Sequence, residues 1–148
     1  MVFVREAKGQ DYEVISSLIR NELGYPELRA NEIKKNLEII SNDSNFITYV
    51  ALDEDCVVGF IGVMKGFAYN EEGHYAQIMA LSVSLNHQRQ GIGRALVKTA
   101  QQWVAAQGIS HLYVSSNERR KDAHAFYESL GFSLEKKSYM FAKNIEEA

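Results

Sequence analysis

Leu81-Ser82-Val83-Ser84-Leu85-Asn86-His87-Gln88-Arg89-Gln90-Gly91-Ile92-Gly93-Arg94-Ala95-Leu96 places a strand end, a polar turn, two glycines and a helix start in succession. Such a turn can present several backbone N–H groups to one anion. Gly91 and Gly93 carry no side chain to block close approach, and the positive end of the helix dipole lies behind them. A phosphate or pyrophosphate suits this geometry, and an ordinary tight turn has the same local signature. Two better-known phosphate loops fail here. No Gly-Lys-Ser/Thr occurs anywhere in the chain, which excludes a P-loop. A dinucleotide fingerprint would need a third glycine where Leu96 stands, and would follow the first strand of the fold.

Working outward, Val2 to Val4 predicts a short strand, and Asp11 to Leu23 a helix with Val14, Ile15, Leu18 and Ile19 on its apolar face. A second helix is expected from about Ala30 to Ile40, on Ile33, Leu37 and Ile40, ended by Ser41-Asn42-Asp43-Ser44-Asn45. Phe46 to Leu52 and Val57 to Met64 form a hairpin pattern around Asp53-Glu54-Asp55-Cys56. A strand from Tyr75 to Val83 leads into the turn. From Gly91 to Gly108 the period becomes helical through Ile92, Leu96, Ala100 and Trp103. A strand from His111 to Ser115, a helix from Asp122 to Leu130 and a last strand from Phe132 to Lys143 complete the order β-α-α-β-β-β-α-β-α-β. That order predicts one α/β (α+β) domain over residues 1–148, with a mixed sheet and helices on both faces.

The composition agrees. The 148 residues are 46% apolar and 24% charged, enough for one core and no second domain. A formal net charge of -3 argues against a nucleic-acid partner, which requires a basic face, and favours cationic ones. The lone Cys56 excludes an internal disulfide and a Cys-rich zinc site. Met1 to Glu6 has neither a basic nor an apolar leader region, and no apolar run is long enough to span a bilayer. A cytoplasmic location with no membrane partner is the expectation.

Two separated motifs give the chain a family resemblance. Gln88-Arg89-Gln90-Gly91-Ile92-Gly93, preceded by Leu81-Ser82-Val83, resembles the pyrophosphate loop and preceding strand of the GNAT superfamily of acetyl-CoA-dependent N-acetyltransferases. Downstream, Asp122-Ala123-His124-Ala125-Phe126-Tyr127-Glu128-Ser129-Leu130-Gly131-Phe132 resembles that family's Phe/Leu-Tyr-x-x-x-Gly-Phe segment. The runs Asn117 to His124 and Ser138 to Lys143 look most like a branch that includes bacterial aminoalkylphosphonate and small-amine acetyltransferases.

The resemblance implies acetyl-CoA as cosubstrate, held by backbone amides over Arg89, Gln90, Gly91, Ile92, Gly93 and Arg94, with Gln88 opening the loop. Leu81, Ser82 and Val83 would pair with the pantetheine arm, and the Leu81 N–H would polarise the thioester carbonyl. Asn117 would either contact pantetheine or cap its own turn. Tyr127 matches the tyrosine that protonates the departing thiolate; its helical spacing with Phe126 and Leu130 would equally suit a core aromatic. The general base is open, because Gln77 and Ala80 stand where relatives carry carboxylates. Glu71, Glu72, His74 and Tyr75 are nearby in sequence, although Glu71 and Glu72 suit a solvated turn and His74 a surface strand edge.

No metal is expected, since His87, His111 and His124 lack ligand spacing. The expected acceptor is a primary amine on a small cationic molecule. Its pocket would draw on Tyr25, Glu27, Glu32, Tyr69, Glu71 and Glu72. A protein N-terminus or lysine is the same-class alternative, and a non-catalytic acyl-CoA sensor the alternative of another class. A homodimer is permitted by the aromatic content.

Overall fold

In the computed structural model, which describes residues 2–146, an antiparallel ladder grows from the N-terminus. Strand β1 (Val2–Glu6) pairs with β2 (Phe46–Asp53), which pairs with β3 (Cys56–Gly66), which pairs with β4 (Tyr75–Val83). Strand β5 (Leu112–Val114) then joins β4 in parallel, giving the spatial order β1-β2-β3-β4-β5. The β2–β3 turn is tighter than the sequence suggests. Asp53 pairs with Cys56, and both intervening residues, Glu54 and Asp55, take positive φ (49° and 71°), the backbone of a two-residue hairpin whose twist matches its strands.

Helices α1 (Tyr12–Asn21) and α2 (Ala30–Ser41) cover one face of this sheet. Their stripes, Ile15 with Leu18 and Ile33 with Leu37, form a buried cluster with Val50 of β2 and Phe60 of β3. Helix α3 (Ile92–Ala106) covers the other face through Ile92, Leu96, Val97, Ala100 and Val104, each under 5% exposed. The alternation of a strand explains the division. Phe60 points to α1 and α2, whereas a Cβ on neighbouring Gly59 would lie 3.3 Å from Leu96 Cδ1. That glycine sets how closely α3 approaches.

A one-turn 3-10 helix (Gly9–Asp11) fixes the entry to α1. Asp11, 3% exposed, accepts both Arg5 guanidinium nitrogens at 2.7 and 3.0 Å and the Lys8 N–H at 2.8 Å. Burial pushes the Asp11 carboxyl up, but these hydrogen bonds, with the charges of Arg5 and Lys8, outweigh it and leave the group below the usual carboxylate range.

The residues divide into two compact units between Ser115 and Ser116. In the second, α4 (Lys121–Ser129) ends with Leu130 and Gly131, and the Phe132 N–H returns to the Tyr127 carbonyl at 3.1 Å. The strand expected from Phe132 to Lys143 does not form, so the sheet has five strands among the described residues where the sequence suggests six. Leu134, Tyr139, Met140 and Phe141 are 74–96% exposed. Their β propensity lacks a ladder: a strand persists only where a neighbour takes its N–H and C=O groups.

Candidate active site

The decisive geometry is at the outer edge of β4. Its pairing with β5 runs only from Ala76–Leu112 to Ile78–Val114. One residue later β4 bulges: Gly62 pairs with Ala80 and Val63 with Ile78, which makes Met79 the extra residue. A bulge bends its strand and increases local twist, and here it coincides with the end of β5 pairing. Beyond it, antiparallel alternation determines which amides face outward. The Ser84 N–H bonds the Val58 carbonyl at 2.7 Å, so Ser82 and Ala80 likewise turn their backbone to β3. Leu81 and Val83 therefore present N–H and C=O to the edge from which β5 has departed. The Val83 carbonyl accepts from Gln88 Nε2 there, at 3.1 Å. Ser82, expected to join Leu81 and Val83, faces β3 and is 6% exposed.

The turn follows directly. A 3-10 turn at Leu85–His87 leads to Gln88, then Arg89 at φ 64° and Gly91 at φ 82°. A side chain at Gly91 would meet no protein atom within 4 Å, so within the protein glycine serves the backbone angle there. The first internal bond of α3 runs from the Ala95 N–H to the Gly91 carbonyl at 3.0 Å. The N–H groups of Ile92, Gly93 and Arg94 thus precede the ladder, and no acidic residue lies in that turn to compete for them. The Ile92 side chain is 1% exposed and anchors the helix start, whereas Gln88, Arg89, Gln90 and Arg94 are exposed. Together these features fit a chain of amides along an edge strand ending in an anion cradle, the donor set that a pantetheine arm and pyrophosphate require.

The second unit holds Asn117 and Tyr127. Asn117 Oδ1 accepts from the Arg119 N–H at 2.9 Å, and the Asn117 carbonyl lies 2.8 Å from His124 Nε2. The capping role is therefore realised. Tyr127 packs edge-on against Phe126 and Phe132, with ring centroids 5.4 and 5.7 Å away. Burial pushes its phenol up, against the opposing charge of Arg120. It stays protonated through neutral pH, the state a proton donor needs.

Of the residues expected to line an acceptor pocket, Glu71 and Glu72 separate. Glu72 is exposed, while Glu71 is partly buried and its Oε1 accepts the Tyr113 hydroxyl at 2.8 Å. The sequence shows Tyr113 only as a strand residue; pairing opposite Gln77 is what brings it over Glu71. Gln77 Nε2 lies 3.4 Å from Ser115 Oγ. The His74 ring lies against Phe67, centroids 4.0 Å apart and planes tilted by 33°. Tyr25, Glu27, Glu32 and Tyr69 are exposed, and Glu32 lies 3.7 Å from Lys35.

Residues 12–132 match the family model described as the acetyltransferase (GNAT) family. N-acetyltransferase family 8 member 3 of Rattus norvegicus is 38% identical over 57% of this chain and 37% of its own length. The chain spans about two fifths or less of the mammalian relatives it matches. Aminoalkylphosphonate N-acetyltransferase of Salmonella typhimurium is 30% identical over 82% of this chain and 75% of its own length. Among solved structures, a transcriptional regulator from Bacillus halodurans superposes with a TM-score of 0.87 at 25% identity, over 97% of this chain and all of that one. An aminoglycoside acetyltransferase from an uncultured soil metagenomic sample does so with 0.77 at 25% identity, over 97% and 96%. The family match begins at the first residue of α1 and takes in the bulged edge, the left-handed turn and Tyr127: this chain belongs to the GNAT family of acetyltransferases.

Proposed function

We propose that the chain transfers the acetyl group of acetyl-CoA directly to a primary amine on a small cationic molecule. The single observation that carries this reading is the outer edge of β4. Its outward amides at Leu81 and Val83 run into a left-handed turn that exposes the N–H groups of Ile92, Gly93 and Arg94. Pantetheine would add to that edge as an extra strand, and the pyrophosphate would sit on the helix start. The Leu81 N–H then polarises the thioester carbonyl, stabilising charge that develops only as the amine attacks. The Tyr127 phenol supplies the proton for the departing thiolate. The aminoalkylphosphonate and aminoglycoside enzymes among the similar proteins support a small amine as acceptor.

Acetyl-CoA titration by calorimetry, with thiol release followed over polyamines, aminoglycosides, aminoalkylphosphonates and lysine peptides, tests the proposal. Binding with turnover on a small amine is the expected result; absence of binding refutes it. A second reading is a non-catalytic acyl-CoA sensor, favoured by the lack of a carboxylate at Gln77 or Ala80 and by the likeness to a transcriptional regulator. It predicts binding without turnover on any amine.

A further inference from the structure

Glu71 has surroundings that set it apart from every other carboxylate near β4. Gln77 and Tyr113 are paired across β4 and β5, and Tyr75 lies two residues before Gln77, so the three share one face. The opposite face carries Ala76 and Ile78, 0% and 4% exposed, in the core. On the open face the Tyr75 and Tyr113 rings lie 6.3 Å apart, and the Tyr113 hydroxyl holds Glu71 Oε1 at 2.8 Å. The tether is neutral. No lysine or arginine forms an ion pair with Glu71 among the described residues. A partly buried carboxylate held by a phenol, beside aromatic rings and without a protein cation, is suited to receive a cation from outside.

Distance decides what that cation is. Tyr113 stands opposite Gln77, and because Met79 is surplus, Gln77 and Leu81 are separated by three ladder positions, Met64 to Ile61 on β3, or about 10 Å at the usual rise of a strand. A base must come within about 3 Å of the proton it removes, or within one water of it. An amine attacking at the Leu81 N–H therefore lies beyond the reach of Glu71, but a second ammonium on the same molecule does not.

We propose that Glu71, positioned by Tyr113, anchors a second positive charge of the acceptor, roughly 10 Å from the amine that is acetylated. The chain then selects diamines and polyamines over monoamines. This rests on the acetyltransfer reading above, with the acetyl site at Leu81.

The test compares kcat/KM for diamines from diaminopropane to diaminodecane, and for spermidine, with monoamines of equal length. It uses the wild-type chain, Glu71→Gln and Tyr113→Phe, with thiol release from acetyl-CoA as the assay. Preference for the diamine should appear only at the longer spans. Glu71→Gln should reduce that preference about tenfold, through KM and not kcat, as expected for loss of a charge-assisted contact. Tyr113→Phe keeps the charge and loses its tether, so its loss of preference should be smaller and in the same direction. Equal kcat/KM for both series in the wild type, or a preference intact in Glu71→Gln, overturns the anchor alone. No thiol release by the wild type with any amine overturns the acetyltransfer reading, and the anchor with it.

Discussion

Gly91 allows the backbone and the charge of the turn to be perturbed separately. Its φ of 82° lies in the left-handed region, and an added Cβ would meet nothing within 4 Å. Gly91→Ala therefore costs only the conformational penalty of an L-residue there, about 1–2 kcal/mol. For a chain of this length, with an unfolding entropy of about 2 cal/mol/K per residue, each kcal/mol lowers Tm by roughly 3 °C, so a fall of about 3–6 °C is expected. Acetyl-CoA affinity should stay within about threefold, because the amides of Ile92, Gly93 and Arg94 keep their places. Gly91→Glu carries the same backbone cost and adds a negative charge beside the proposed pyrophosphate. At about 4 Å and an effective dielectric near 20, that repulsion is roughly 4 kcal/mol, close to a thousandfold in affinity. Calorimetry with acetyl-CoA and thermal unfolding of all three chains separate the terms. Equal loss of binding in both variants, or binding retained in Gly91→Glu, would refute an anion cradle at this turn.

Three further outcomes follow from contacts described above. Asp11→Ala breaks a buried pair and leaves Arg5 partly buried without its partner, at a cost of about 3 kcal/mol by denaturant unfolding. Because the folded-state pKa of Asp11 is lowered, its stabilisation is complete above the ordinary carboxylate value and is lost as pH falls through the lowered one. The gap between the two chains should close only in that acid range, and a gap constant down to strong acid would exclude the pair as its source. Gly59→Val forces atoms toward the Ser82 carbonyl, 3.0 Å from an added Cβ, and Leu96, and should cost about 1–3 kcal/mol; an unchanged Tm would show that α3 does not rest on this glycine. Tyr127→Phe should lower kcat about a hundredfold or more with acetyl-CoA affinity unchanged, and wild-type activity should persist to pH values above the ordinary tyrosine range, because the phenol is pushed up. An unchanged kcat would make Tyr127 a core aromatic only.

Much of this architecture is legible in the sequence because it is local. Tyr75 to Val83 is expected as a strand from its own residues and is observed with those bounds, and the four helices appear within about two residues of their apolar stripes. Gly91 is marked by the sequence as a position without a side chain in the turn, and the structure adds that it takes a left-handed backbone. What escapes depends on partners distant in the chain. The strand expected after Phe132 has the right residues but forms no ladder among the described residues. Glu71 looks like half of a solvated acidic turn until Tyr113, 42 residues away, is placed over it. Asp11 and Arg5 lie close in sequence but meet only because the chain reverses through a 3-10 turn. The direction of the Leu81 amide depends on Met79 being surplus, which no composition or period reveals.

That surplus residue makes the strand sensitive to counting. Val63 and Gly62, the partners of Ile78 and Ala80, are consecutive on β3, so removing Met79 would leave Ala80 to Val83 opposite the same residues and would straighten β4 at the point where β5 departs. An extra residue between Ala80 and Leu81, with no bulge to absorb it, would instead turn the Leu81 and Val83 amides toward β3. The loop from Phe67 to His74 is under no such parity and can lengthen or shorten without moving Leu81. One strand therefore separates two kinds of change: the loop before it is open to insertion, and the edge proposed to receive the acetyl group is fixed by number.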